Sequence, residues 1–187
     1  MKKTVLVTGA TSGIGEACAH RFAQGGYNVI ITGRRVQLLA ELKKKLEAEG
    51  AKVLALAFDV RNRAAATKAI ESLTVEWQDI DVLINNAGLA LGLEPAYEGH
   101  WDDWETMIDT NIKGLLTMTR LVTPRMVQRN SGHIINIGSV AGDAAYANGN
   151  VYCATKAAVK TFTDGLRIDL ASTNIRVTNV KPGLVET

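Results

Sequence analysis

Short β-branched and aliphatic runs alternate along the chain with longer segments in which apolar residues recur every three or four positions. The short runs fall at Thr4–Thr8, Val29–Thr32, Val53–Phe58, Val82–Asn85, His133–Ile137 and Arg176–Val180. Their composition predicts six strands of a parallel sheet covered on both faces. The longer segments predict helices over Gly13–Gln24, Arg35–Glu49, Arg61–Glu76, Asp103–Arg129 and Val151–Ala171, each apolar on one side and polar on the other. Gly25-Gly26 and Gly50 stand where helices should stop, and Ser131-Gly132 parts the fourth helix from the fifth strand. Strand and helix repeated in this order predict βαβ units, and hence an α/β fold built on one doubly wound parallel sheet.

Composition narrows this picture without changing it. A chain of 187 residues, 47% of them hydrophobic, has material for one substantial core, so residues 1–187 are read as a single domain. The formal net charge is +2 and the basic residues are scattered, which gives no footprint for nucleic acid or a membrane surface. Gly9 interrupts the apolar start of the chain, and no run approaches the roughly 18 apolar residues that a bilayer requires. Cys18 and Cys153 lie on separate predicted helices, and His20, His100 and His133 show no ligand spacing, so a reduced cytoplasmic protein without a metal is expected.

Directly after the first strand the chain reads Thr8-Gly9-Ala10-Thr11-Ser12-Gly13-Ile14-Gly15 and runs straight into a helix. Glycines at this position let a turn close tightly and let backbone N–H groups approach a pyrophosphate, whose charge the helix N-terminus stabilises. A dinucleotide is the expected occupant, in the manner of a Rossmann fold. An acidic residue about twenty positions on would bind ribose hydroxyls and select NAD. This chain instead has Thr32-Gly33-Arg34-Arg35, two guanidinium groups suited to a 2′-phosphate, which favours NADP(H); Arg35 can also be read as merely beginning the helix. Asp59-Val60 and Asn85-Asn86-Ala87-Gly88 follow the third and fourth strands, where ligands of such sheets bind. Taken alone, Asp59 is as good a helix cap as a ligand contact.

Ser139 follows the fifth strand, and Tyr152 and Lys156 lie four residues apart at the start of the next helix, on one face. Reducing a carbonyl leaves an alkoxide that needs a proton, and oxidising an alcohol needs a base to remove one. A tyrosine hydroxyl can do either when a nearby ammonium favours its phenolate form. The serine can donate a hydrogen bond to the substrate oxygen. A nucleophilic serine is not expected, because Gly138-Ser139-Val140-Ala141-Gly142 has Ile137 where the GxSxG elbow has its first glycine.

The TGxxxGxG spacing with this Ser, Tyr and Lys set resembles the short-chain dehydrogenase/reductase family over essentially the whole chain, Thr4 to Thr187. The resemblance implies that Gly9, Thr11, Ser12, Gly13, Ile14 and Gly15 line the diphosphate, and that Asp59 and Val60 meet the adenine. It adds Asn86, Ala87 and Gly88 to the cofactor site, with Pro182, Gly183, Val185 and Thr187 at the nicotinamide carboxamide. It also implies a fourth catalytic member, Asn111, whose backbone carbonyl would hold a water leading to Lys156; by residue type alone Asn111 is simply a buried polar group. Asn85 to Gly92 with Glu94-Pro95-Ala96, Trp104 to Met107, and Gly149-Asn150-Val151-Tyr152 are similar to the NADP-dependent 3-hydroxy acid dehydrogenases of this family, which act on serine-like and 3-hydroxypropionate-like substrates.

The family pattern further implies a homotetramer, with the segments Asp103–Arg129 and Val151–Ala171 as a subunit contact. Family members usually continue past the point reached here with a substrate lid, a helix and a seventh strand, so the expectation is a sheet lacking those parts. The expected function is hydride transfer between NADP(H) and a small alcohol or carbonyl. The alternative is a non-catalytic dinucleotide-binding sensor or scaffold, which would bind cofactor without turnover and has no need of a poised Tyr152.

Overall fold

The computed structural model describes residues 2–185. Six strands form: β1 (Thr4–Val7), β2 (Asn28–Gly33), β3 (Val53–Ala57), β4 (Val82–Asn85), β5 (Gly132–Ile137) and β6 (Ile175–Val180). They pair in parallel in the order β3-β2-β1-β4-β5-β6, the doubly wound arrangement that the alternation predicts. The order reverses between β1 and β4, where Val5 is in register with both Val29 of β2 and Val82 of β4. A crevice opens at the carboxyl ends of strands at such a reversal.

Alternate residues of the central strands feed two separate cores, which is why those strands are mostly apolar. Leu6, Ile30, Leu83 and Ile134 point to one face, while Val5, Val7, Val29, Ile31, Val82 and Ile84 point to the other. The second face is covered by α1 (Gly13–Gln24), through Ala19 and Ala23, and by α2 (Val36–Ala48), through Leu39, Leu42 and Leu46. Against the first face pack α3 (Arg63–Glu71), α5 (Leu115–Arg129) and α6 (Asn150–Asp169), through Ala66, through Met118, Val122 and Met126, and through Leu166. Each fully buried Leu or Ile contributes about 1.5–3 kcal/mol.

Two helices differ from expectation. The third stops at Glu71 rather than Glu76. Asn62 caps its start by accepting from Ala65 N at 3.0 Å, Ser72 closes it by donating to Ala69 O, and the chain then turns to deliver Trp77 into the core. The fourth is a compound element: α4 (Trp101–Ile108) passes through a π turn (Asp109–Gly114) into α5. Its buried positions run Met107, Thr110, Asn111, Gly114, Leu115, Met118, Thr119, Val122 and Met126. They recur at the three- and four-residue spacing of one helix face, so the compound element keeps the same side to the core through the π turn.

Beneath the crevice a dry polar contact ties sheet to helices. Asn85 Nδ2 donates to Thr119 Oγ1 of α5 and to Asn136 Oδ1 of β5, both at 2.9 Å, and Asn136 Nδ2 donates to Thr163 Oγ1 of α6 at 2.9 Å.

Candidate active site

At the strand-order reversal lies a cleft of about 660 Å³. One wall is the glycine turn between β1 and α1. Gly9 and Gly13 hold φ of 64° and 56°, conformations that other residues rarely adopt. Gly15 is required by closeness: a Cβ there would stand 2.4 Å from both Gly9 O and Asn86 Nδ2. Asn86 explains that closeness, since its Nδ2 donates to Thr8 O at 2.9 Å and to Gly9 O at 3.0 Å. Thr8 Oγ1 in turn accepts from the backbone N–H groups of Asn86 and Ala87, each at 3.0 Å. The turn after β1 and the turn after β4 are therefore one unit.

Ser12 precedes α1 without capping it. Its Oγ accepts instead from Arg35 Nη2 at 2.9 Å, and Thr11 Oγ1 accepts from the same guanidinium at 2.7 Å and 3.1 Å. Arg35 does sit at the helix boundary, as the N-cap of α2, yet its side chain belongs to the cleft. Arg34 also lines the cleft and is 3.8 Å from Asp59. Asp59 is engaged chiefly by Arg61, which donates from its backbone N at 3.0 Å and from its guanidinium at 2.9 Å and 2.7 Å. Burial alone would raise the Asp59 carboxyl, but the Arg61 hydrogen bonds and the charges of Arg61 and Arg34 outweigh it and hold the group below its ordinary value. Val60 is buried beside the cleft and packs on the π turn, where a Cβ at Gly114 would meet its Cγ2 at 2.7 Å.

The opposite wall carries Ser139, Tyr152 and Lys156. Ser139 Oγ accepts from Ala141 N at 3.1 Å, and its own proton faces Pro182 O at 3.5 Å, a contact too long to hold it. Lys156 is 7% exposed, and its Nζ donates to Ile137 O at 2.9 Å and lies 5.8 Å from the Tyr152 ring centre. Burial pushes its ammonium down to about 8. Asn111 does not reach the cleft wall. It is 2% exposed in the π turn, with its side chain bound to Leu89 and Thr155.

The cleft thus brings together Gly9, Thr11, Ser12, Gly13, Ile14, Arg34, Arg35, Asp59, Val60, Asn86, Ala87, Gly88, Pro182, Gly183 and Val185 with Ser139, Tyr152 and Lys156. Gly15 and Asn111 support it from beneath, and Thr187 lies outside the described residues. Gly33, Phe58, Leu89, Ala90, Thr110, Ile137, Gly138 and Leu184 also line it and were not singled out by sequence. All but Ala90 and Ile137 adjoin a residue that the sequence does single out, and adjacency is the signal that could have found them. Tyr152 additionally borders a recess of about 30 Å³ shared with Leu91, Glu94, Trp104, Tyr146 and Asn150. Among the described residues no three of His, Cys, Asp and Glu group as a metal site, and no helix is long and apolar enough to cross a membrane.

A glycine cradle at the reversal of a parallel sheet, faced by a tyrosine and a buried lysine, defines a dinucleotide-dependent oxidoreductase. The chain belongs to the short-chain dehydrogenase family, whose model matches residues 3–187. It is similar to the NADP-dependent 3-hydroxy acid dehydrogenase YdfG of Salmonella typhi, 60% identical over 97% of this chain and 72% of that protein. Among solved structures it resembles serine dehydrogenase from Escherichia coli, with a TM-score of 0.92 and 58% identity over 97% of this chain and 83% of the other. It also resembles a closed form of serine dehydrogenase complexed with NADP+, with a TM-score of 0.93 and 58% identity over 98% of this chain and 73% of that one.

Proposed function

We propose that this enzyme, an NADP-dependent short-chain dehydrogenase, interconverts small 3-hydroxy acids such as serine or 3-hydroxypropionate with their carbonyl products. The observation that carries the reaction type is the placement of Tyr152, Lys156 and Ser139 on the wall facing the glycine cradle. The cradle fits the cofactor: peptide groups at Gly9 and Gly13 lie bare of side chains, and Arg35, Thr11 and Ser12 form a cationic corner where a 2′-phosphate would lie. When bound, NADP(H) supplies or accepts the hydride. Tyr152 gives its phenolic proton to the carbonyl oxygen during reduction, or takes it from the alcohol during oxidation. Ser139, with its proton loosely held, turns toward the same oxygen and stabilises the developing charge. Lys156, largely buried at the cleft wall, supplies positive charge beside the phenol. Asn111 is assigned to the proton path through its backbone carbonyl, its side chain being already occupied.

The small substrate is supported by the 3-hydroxy acid and serine dehydrogenases that the chain resembles. Incubating the protein with NADP+ and either L-serine or 3-hydroxypropionate should produce NADPH, read by its near-ultraviolet absorbance. Silence with every short 3-hydroxy acid, beside intact cofactor binding, would remove the substrate assignment. We assign the assembly as a homotetramer through α4–α5 and α6, whose exposed Trp101, Ile108, Leu116 and Ile168 would then be covered; a monomeric mass in solution would refute it.

A further inference from the structure

Thr155 stands between Tyr152 and Lys156 on α6 but is 1% exposed and takes no part in the cleft wall. Its hydroxyl donates to the Tyr152 carbonyl at 2.7 Å and accepts from Asn111 Nδ2 at 3.0 Å. A hydroxyl has one proton, so donation to Tyr152 leaves only its lone pairs for Asn111, and the two roles are fixed. The other groups of the Asn111 amide are spent on Leu89: Nδ2 donates to Leu89 O at 2.8 Å and Oδ1 accepts from Leu89 N at 2.9 Å. Turning that amide over would set Nδ2 against an N–H donor, and Oδ1 against two oxygens with no proton to give. A single buried chain of hydrogen bonds therefore runs from the first turn of α6, through the π turn, to the loop after β4. Gly88 lies along this chain, where a Cβ would stand 3.2 Å from Asn111 Oδ1 and 3.5 Å from Lys156 Nζ.

A threonine bonded to a carbonyl one turn back is a common device of buried helices. Thr163, two turns further along α6, is such a case. It is 0% exposed, donates to Val159 O at 2.6 Å and accepts from Asn136 Nδ2 at 2.9 Å. Its second partner lies within the sheet, whereas the second partner of Thr155 is the amide that holds the cleft loop.

We infer that Thr155 is a positioning residue for hydride transfer, fixing the Asn111 amide and through it the registry of Tyr152 and Lys156 with the Leu89 loop. The inference rests on the oxidoreductase reading above for the meaning of turnover, and on geometry alone for the loop.

The test compares Thr155→Val, Thr155→Ser and Thr163→Val in the full chain with NADP+ bound. Both valine variants should lose similar amounts of denaturation resistance, since each removes one buried hydroxyl of the same kind. Only Thr155→Val should lower kcat, by on the order of ten- to a hundred-fold as expected for a small misplacement of reacting groups. The KM and the NADP+ affinity should stay within about threefold, because binding is not what the residue secures. Amide hydrogen exchange at Leu89 should quicken in Thr155→Val alone, and Thr155→Ser should restore both readouts. An unchanged kcat in Thr155→Val, an equal loss in Thr163→Val, or failure of the serine to restore overturns the proposal. Because the exchange measurement needs no substrate, it decides the matter even if wild type oxidises no hydroxy acid; unchanged exchange at Leu89 in Thr155→Val defeats the inference independently of the substrate assignment.

Discussion

The two ends of the cleft hold their charges in opposite ways. At the end that we propose takes the adenosine, Arg34 and Arg35 lie exposed, and Arg35 is bonded to Thr11 and Ser12 on the surface of the glycine turn. At the end that we propose does the chemistry, Lys156 is largely buried, its ammonium bonded to the carbonyl of Ile137 and lowered to about 8 by burial. Exposed charge attracts and selects a ligand while costing the fold little. Buried charge acts strongly on its neighbour and is a burden to the fold. The first end is built to capture and the second to act, and substitutions should separate them.

The largest expected effect is at the chemical end. Tyr152→Phe should lower kcat by about 10²–10⁴-fold, the usual worth of a positioned proton donor, while NADP+ affinity by fluorescence titration changes little. An active phenylalanine variant would contradict the assigned proton transfer.

Lys156→Met should bring loss of turnover together with a gain in stability. Below about pH 8 the folded and unfolded chains both hold the lysine proton, and folding bears the cost of burying it. As pH rises from about 8 toward the ordinary lysine value of 10.5, the folded chain releases that proton while the unfolded chain keeps it, so this group's burden on stability fades. Denaturation at pH 7 should therefore show the methionine variant more stable by about 2 kcal/mol, less than the full shift implies because Ile137 O loses its partner. The advantage should shrink steadily on raising the pH; a gain that stayed constant would place its origin elsewhere.

The smallest effect belongs to the adenosine end. Arg35→Ala should weaken NADP+ by about ten- to a hundred-fold through loss of charge-assisted hydrogen bonds, with NAD+ affinity and kcat at saturation nearly unchanged. Arg34→Ala, already drawn toward Asp59, should cost less than that. Equal losses for both dinucleotides would mean that Arg35 organises the turn rather than reading a 2′-phosphate.

Much of this layout is legible in the order of residues. Every strand lies within two residues of where its aliphatic run predicts it, because parallel strands buried on both faces leave little room for polar positions. The glycine turn was equally plain, being local. What sequence did not show is what depends on backbone atoms or on distant partners. The carbonyl of Ile137 that fastens Lys156 carries no side-chain signature. The π turn around Asn111 leaves no mark in the sequence, because the buried positions from Met107 to Leu115 keep the three- and four-residue spacing of an ordinary helix. Arg35 was ambiguous because a helix-boundary position says nothing about where a long side chain will point, and Thr11 and Ser12 resolve it only in space.

The stitching of Thr8 to Asn86 and Ala87 has a consequence for how the protein is made. The glycine turn is synthesised before the residues that fasten it, which come as many as 79 positions later, and the central strand waits about as long for β4. Closing so long a loop costs entropy before any contact returns it, so a nascent chain carries an unfinished glycine turn until β4 and the turn after it have been made.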